Sequence, residues 1–153
     1  MSAVSDETPV HGRVLVVWVC GERVALPVGA VREAIDAPVV RSVPLAPAGM
    51  LGYITLREQY VPVLDAAVLL GIPGAARAPG VVLVAGDGTF GIRVDEADDI
   101  WESNAAAVRG VPAGTDRHGV LQAVLHRDEI VASFVDVPAL LQVAVAILRE
   151  RPA

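Results

Sequence analysis

Apolar positions along this chain fall in short blocks, most alternating with polar residues at the two-residue period of a strand. Strands are predicted at Arg13–Val19, Arg23–Pro27, Val39–Val43, Leu51–Leu56, Val61–Leu64, Val81–Ala85, Phe90–Val94, Val120–His126 and Ile130–Val135. Short helices are predicted at Gly29–Ile35, Ala66–Leu70 and Glu96–Ile100, and a longer one from Pro138 to Arg149. In the first of these, Val28, Val31 and Ile35 recur at helical spacing, which turns Arg32 and Glu33 away from the buried stripe. Many short strands separated by turns describe a small barrel or sandwich. Crossover helices long enough for an all-parallel sheet are missing.

The order of elements repeats. "VVWVCGERVALPVGAVREAI" from Val16 and "VVLVAGDGTFGIRVDEADDI" from Val81 each run from an apolar block into a glycine-plus-acid turn, then a strand ending at a valine. "VPVLDAAVLLG" from Val61 and "ASFVDVPALLQ" from Ala132 each end a strand at an aspartate, with a leucine pair four and five residues on. A period of about 65–71 residues is too long for a solenoid and implies two copies of one supersecondary unit. The loop "GIPGAARAPG", 71–80, joins them. The expected organisation is a polar segment 1–12, one domain over 13–149 with approximate halves 13–72 and 80–149 between which strands can cross, and a tail at 150–153.

Composition narrows the function. Of 153 residues, 54% are hydrophobic but only 4% aromatic, so the core is built from Val, Ala and Leu. The formal net charge is −6, and all basic residues are scattered arginines; nothing forms the stripe that follows a phosphate backbone, which argues against nucleic acid. The one cysteine, Cys20, reads as a small core residue. The N-terminus lacks the basic and apolar regions of a secretion signal, and the greasiest stretch, 137–148, is too short to span a bilayer. These features fit a cytoplasmic protein without direct membrane insertion.

Candidate chemistry is sparse. Asp65, Asp95 and Asp136 each end a strand ahead of a predicted helix, where an aspartate caps the first turn. His11, His118 and His126 have no metal-ligand spacing. Asp95, Glu96, Asp98 and Asp99 form a solvated acidic face without the pattern of a calcium loop. Ser103, Ser133 and Cys20 lack the context of a nucleophile, and no glycine motif for a nucleotide is present. No catalytic residue, metal or cofactor is expected. "GYITLREQYVPVLD", Gly52 to Asp65, is more informative. Ile54 and Leu56 share one face; Tyr53, Thr55 and Arg57 share the other. Tyr and Arg are the residue types of interface hot spots, although an arginine paired with Glu58 on an ordinary surface fits the periodicity equally. Pro62 places its strand at an edge or a barrel rim.

Taken together, "LVVWVCGERVALPVGAVREAI", Pro44, "GYITLREQYVPVLD", "VVLVAGDGTFGIRVDEADDI" and "ASFVDVPALL" resemble the CheW-like domain of bacterial chemotaxis, over about Arg13 to Leu141. The resemblance implies a mainly β fold of two SH3-like five-stranded β-barrel subdomains packed together, with short connecting helices and a C-terminal helix. It implies a non-enzymatic, stand-alone adaptor that couples the cytoplasmic tip of methyl-accepting chemoreceptors to the regulatory domain of a CheA-type histidine kinase. Carried over by position, Val31 and Glu33 match a V-x-E element, Gly52 a turn glycine and Arg57 an arginine. With Tyr53 and Glu58 these are the expected partner-binding residues. The chain departs from the family twice: Thr55 replaces an asparagine and Glu58 replaces a glycine. The Glu58–Gln59 pair is then expected to turn differently, with Glu58 partly neutralising Arg57. The rival from another class is a small-ligand sensor that uses the groove between the barrels.

Overall fold

The computed structural model describes residues 12–102, 107–112, 114, 116 and 118–150. The expected N-terminal segment apart from Gly12, the last three residues, His11 and Ser103 lie outside the described residues. The strands are β1 (Arg13–Val19), β2 (Glu22–Pro27), β3 (Val31–Asp36), β4 (Met50–Leu56), β5 (Gln59–Asp65), β6 (Val81–Ala85), β7 (Gly91–Val94), β8 (Glu96–Glu102), β9 (Ala107–Arg109), β10 (Leu121–Arg127) and β11 (Ile130–Val135). Helix α1 spans Ala66–Leu70 and α2 spans Val137–Arg149.

Two sheets result. One has the order β9-β10-β11-β2-β1-β8, the other β3-β6-β7-β5-β4. Neither sheet is one half of the sequence. Hairpin β1–β2 leaves its own half to pair with β8 and β11, and hairpin β6–β7 pairs with β3 and β5. The exchange is reciprocal: Phe134 of β11 lies parallel to Ala25 of β2, and Val63 of β5 lies parallel to Gly91 of β7. The repeat is visible in single bonds. The amide of Asp65 donates to Gly49 O (2.8 Å), and the amide of Asp136, 71 residues on, donates to Val120 O (2.7 Å).

This interlacing buries several strands on both faces, which explains their unbroken apolar runs. In β1, Val14 and Val16 enter a cluster with Ala25, Trp101, Leu125 and Phe134, the interior of barrel 1. Val17 and Val19 point the other way, into a central cluster with Leu26, Leu64, Leu69, Leu83, Ile92, Leu140 and Ala144. Ile54, Val61, Val63, Val82 and Val84 fill barrel 2. The central cluster lies between the sheets and is covered by both helices. Asp65 and Asp136 are the helix caps expected: their Oδ1 atoms accept from Ala67 N (2.9 Å) and Ala139 N (3.2 Å). The terminal helix buries Leu140 and Ala144 and leaves Leu141 and Val145 exposed.

Several expectations are corrected. Segment 29–35 is a 3-10 turn over Val28–Ala30 followed by strand β3, because Val31–Asp36 pairs antiparallel with β6. Segment 96–100 belongs to strand β8, held by β1. It shows no strand alternation because Trp101 is its one buried side chain. Asp95 therefore caps no helix; its carboxylate accepts from the amides of Cys20 and Arg77. Segment 39–43 is reduced to a single bridge at Arg41. Cys20 is a turn residue (φ 50) at the β1–β2 hairpin, its thiol donating to Ala75 O (3.3 Å), and it packs only on the rim of the core. Strand β5 lies between β7 and β4 rather than at an edge. Pro62 is tolerated because it pairs with Tyr53 alone, ahead of the β7 contacts that begin at Val63.

Candidate functional site

Barrel 2 closes where its two outer strands meet, and the expected docking residues other than Val31 gather at that seam. Strands β3 and β4 are the ends of the five-stranded sheet. Past β3, Arg41 and Tyr53 exchange two backbone hydrogen bonds of 2.8 and 2.9 Å, which join the ends. Gly52 makes this possible. It sits at φ +147, and a Cβ there would stand 2.1 Å from the carbonyl oxygen of Arg41. Its role is the close approach of two backbones, rather than contact with a partner through its own surface, since it is buried.

Arg57 and Glu58 form the whole loop between β4 and β5, for Leu56 pairs with Gln59. Both residues are left-handed, at φ 48 and 67. That is the backbone of a type I′ hairpin, whose twist suits the flanking strands and whose usual residues are Asn and Gly. The family's glycine is missing, yet the tight turn forms; the expectation that Glu58–Gln59 would turn differently is corrected. Arg57 consequently belongs to the turn, not to the Tyr53–Thr55 face of the strand.

Arg57 also has a different partner from Glu58. Its Nη1 donates to Glu33 Oε1 at 2.6 Å. Glu33 lies opposite Val84 and Ile35 opposite Val82, so Glu33 sits at the mouth of barrel 2 on the inward side. The ion pair thus spans the same seam as the Arg41–Tyr53 bridge. The hydrogen bond and charge of Glu33 push the Arg57 guanidinium further above its already high range. The Arg57 side chain remains 65% exposed, so most of its donors are available.

Tyr53 meets Tyr60 edge to face, with centroids 5.2 Å apart and planes at 89°, a favoured aromatic geometry. Tyr60 is 74% exposed and Val39 75%. Exposed Tyr60, Val39, Arg41 and Arg57, with half-buried Tyr53, make an aromatic and arginine surface of hot-spot composition. Sequence reading found Tyr53 and Arg57 but missed Tyr60 and Arg41. Tyr60 was legible as the residue opposite Thr55 in a two-residue hairpin; Arg41 was not, because only barrel closure brings it in.

Val31 stands apart. A bulge between Val31 and Glu33 turns the two to different sides. Val31 packs on the central cluster and, with Leu26, Leu83, Phe90, Val137 and Leu140, lines an apolar cavity of about 30 Å³. That is far below the several hundred Å³ of a small-molecule pocket, which weighs against the sensor reading for this groove. A solvent-open cleft of about 290 Å³ lies elsewhere, between Glu22, Leu70, Pro73, Leu121 and Ser133. Among the described residues no cluster of three His, Cys, Asp or Glu side chains could hold a metal ion, and no helix is long and apolar enough to cross a membrane.

Comparison with known proteins agrees with this geometry. No curated protein matches the chain in sequence. Among solved structures, the scaffolding protein TtCheW from Thermoanaerobacter tengcongensis superposes with a TM-score of 0.67 at 17% identity, over 82% of this chain and 89% of its own. At that identity the likeness is one of fold. The model of the CheW-like domain matches residues 13–145, so the chain belongs to the CheW-like domain family.

Proposed function

We propose that this protein is a non-enzymatic chemosensory adaptor, coupling the cytoplasmic tips of methyl-accepting chemoreceptors to the regulatory domain of a CheA-type histidine kinase. It works in the cytoplasm and is recruited to receptor arrays through those partners. Family membership over residues 13–145 carries the reading. The Tyr53–Tyr60 pair beside Arg57, with Tyr60 exposed and Tyr53 half-buried, supports it, because it supplies an anchor and an orienting charge in one place. The aromatic rings bury apolar area on contact, while Arg57, held against Glu33, presents its free guanidinium N–H groups in a fixed direction.

Titration calorimetry of the purified protein against the kinase regulatory domain and against a receptor-tip fragment tests this. The wild type is expected to bind both. Arg57→Glu, which puts two acids at the Glu33 seam, and Tyr60→Ala, which leaves the seam intact, are each expected to weaken at least one partner about tenfold or more. Wild-type protein that binds neither partner rejects the adaptor reading. Unchanged affinity in both variants rejects this surface as the docking site.

A further inference from the structure

The internal repeat gives this domain two corresponding grooves, one filled and one open. Phe134 and Val63 each stand two residues ahead of a helix-capping aspartate, and they lie beside Ala25 and Gly91. Val24 therefore corresponds to Phe90, and Leu70 to Leu141. Phe90 and Leu141 line the apolar cavity of about 30 Å³ beside α2. Val24 and Leu70 line the cleft of about 290 Å³. Two differences open it. A valine stands where the other groove has a phenylalanine. Helix α1 stops after five residues at left-handed Gly71 (φ 70), whereas α2 runs on for thirteen. The chain leaves α1 through Ile72 and Pro73, which become a wall of the cleft.

The open groove also carries polar groups that its counterpart lacks. Every residue lining the smaller cavity is apolar. In the cleft, Glu22 shares a strand face with Val24, and Ser133 lies beside Val24 on β11. Ser133 corresponds to Pro62, which has no donor to offer. Strand spacing and rise place the Glu22 and Ser133 Cα atoms roughly 8 Å apart. Among the described residues, neither side chain has a hydrogen bond or an ion pair, and Glu22 is the one charged side chain lining the cleft. Arg23, next in the chain, is taken by Asp98. Buried Val24 and Leu70, with half-buried Ile72 and Leu121, make the apolar walls.

We propose that this cleft binds a small amphiphilic cation, a primary ammonium group on an apolar alkyl or aryl body. Glu22 accepts from the ammonium, Ser133 meets a hydrogen-bonding group at the other end, and the walls cover the body between them. The unpaired carboxylate repels anions and offers a neutral analogue no ion pair, so charge complementarity selects the ligand. The volume is that of the smallest ligand pockets. Glu22 is exposed, so its ion pair is partly screened: it adds selectivity at modest energy and weakens with salt.

Tyramine is a suitable probe, and 4-ethylphenol is the same body without the amine. In a titration followed by amide NMR, tyramine is expected to give saturable shifts at Val24, Leu70, Ile72 and Leu121, with Val31, Leu83 and Leu141 of the filled groove unmoved. 4-Ethylphenol is expected to bind about fivefold more weakly. Glu22→Gln, an isosteric change at an exposed position, should weaken tyramine about fivefold and leave 4-ethylphenol unchanged. Val24→Phe, which supplies the ring of the filled groove, should remove binding of both. The inference is overturned by tyramine that gives no saturable shift, by equal affinity for the two probes, or by tyramine binding that Glu22→Gln does not change. A receptor-tip fragment that moves the cleft amides where tyramine does not makes the cleft a protein-docking groove and overturns it equally.

Discussion

Gly52→Ala is expected to be the most damaging single-methyl change in barrel 2. The added Cβ would lie 2.1 Å from Arg41 O and 2.7 Å from Arg41 C, both backbone atoms that cannot rotate away. The strand must retreat by more than 1 Å to reach ordinary contact, which breaks the Arg41–Tyr53 bridge. Two hydrogen bonds of 2.8 and 2.9 Å go with it, about 0.5–1.5 kcal/mol each. A non-glycine residue at φ +147 adds about 1–3 kcal/mol of backbone strain. The total is about 2–6 kcal/mol, a large part of the ~5–15 kcal/mol that holds such a domain folded. For a chain of this size that corresponds to a fall in Tm of roughly 5–20 °C. Thermal and urea melts followed by circular dichroism give the size of the effect. Hydrogen exchange at the Tyr53 amide gives its place, with protection there lost before that of the Val82 and Val84 amides. A Tm within about 1 °C of wild type, with the Tyr53 amide still protected, would refute the account of closure.

Glu58→Gly should stabilise the protein: it relieves ~1–2 kcal/mol of left-handed strain against ~0.5–1 kcal/mol of added chain entropy, and a rise in Tm of a few degrees checks it. Asp65→Ala should cost more than Asp136→Ala. Both lose a helix cap worth about 1 kcal/mol, but Asp65 Oδ1 also accepts from Ala76 N (3.0 Å) in a buried site, and urea melts of the two variants give the order. The Cys20 thiol is pushed above its ordinary range, first by partial burial and then by the carboxylates of Asp95, Asp65 and Glu22. Its alkylation rate should therefore climb only at pH above that at which a free thiol reacts, and a profile matching a free thiol would contradict this. Asp87 is held below the usual carboxylate range by hydrogen bonds from the amide and hydroxyl of Thr89. What this adds to stability is present above the unfolded pKa and is lost as pH falls through the folded one. Thr89→Val should raise the Asp87 pKa in a carboxylate titration followed by NMR.

Residues Arg13–Val19, Val81–Ala85 and Ile130–Val135 were legible as strands to the residue, because a buried strand announces itself through β-branched residues and turn signals that are local. The caps at Asp65 and Asp136 were legible for the same reason: an Asp immediately ahead of an apolar helix reads from a few neighbouring positions. The misread segments failed where a distant strand decided. Val31–Asp36 has apolar residues at a spacing that serves a helix or a bulged strand, and only β6 chooses between them. In β8 the pattern is silent because four acids line a strand that buries only Trp101. At the candidate site, Tyr53 and Arg57 stood out by residue type, while the turn that Arg57 forms with Glu58 carries none of the glycine that ordinarily marks it.

The amino-acid sequence by itself determined that this is a β-rich, twice-repeated domain with capped helices, an all-arginine basic complement and a surface rich in Tyr and Arg near residue 57. These follow from local sterics, side-chain alternation and residue chemistry. Only the tertiary structure decided that each hairpin crosses into the other half's barrel, that Glu33 rather than Glu58 holds Arg57, and that Gly52 exists for the approach of Arg41. Strand pairing is a contact between residues far apart in the chain, and alternation states which side chains point inward without stating against which strand they close.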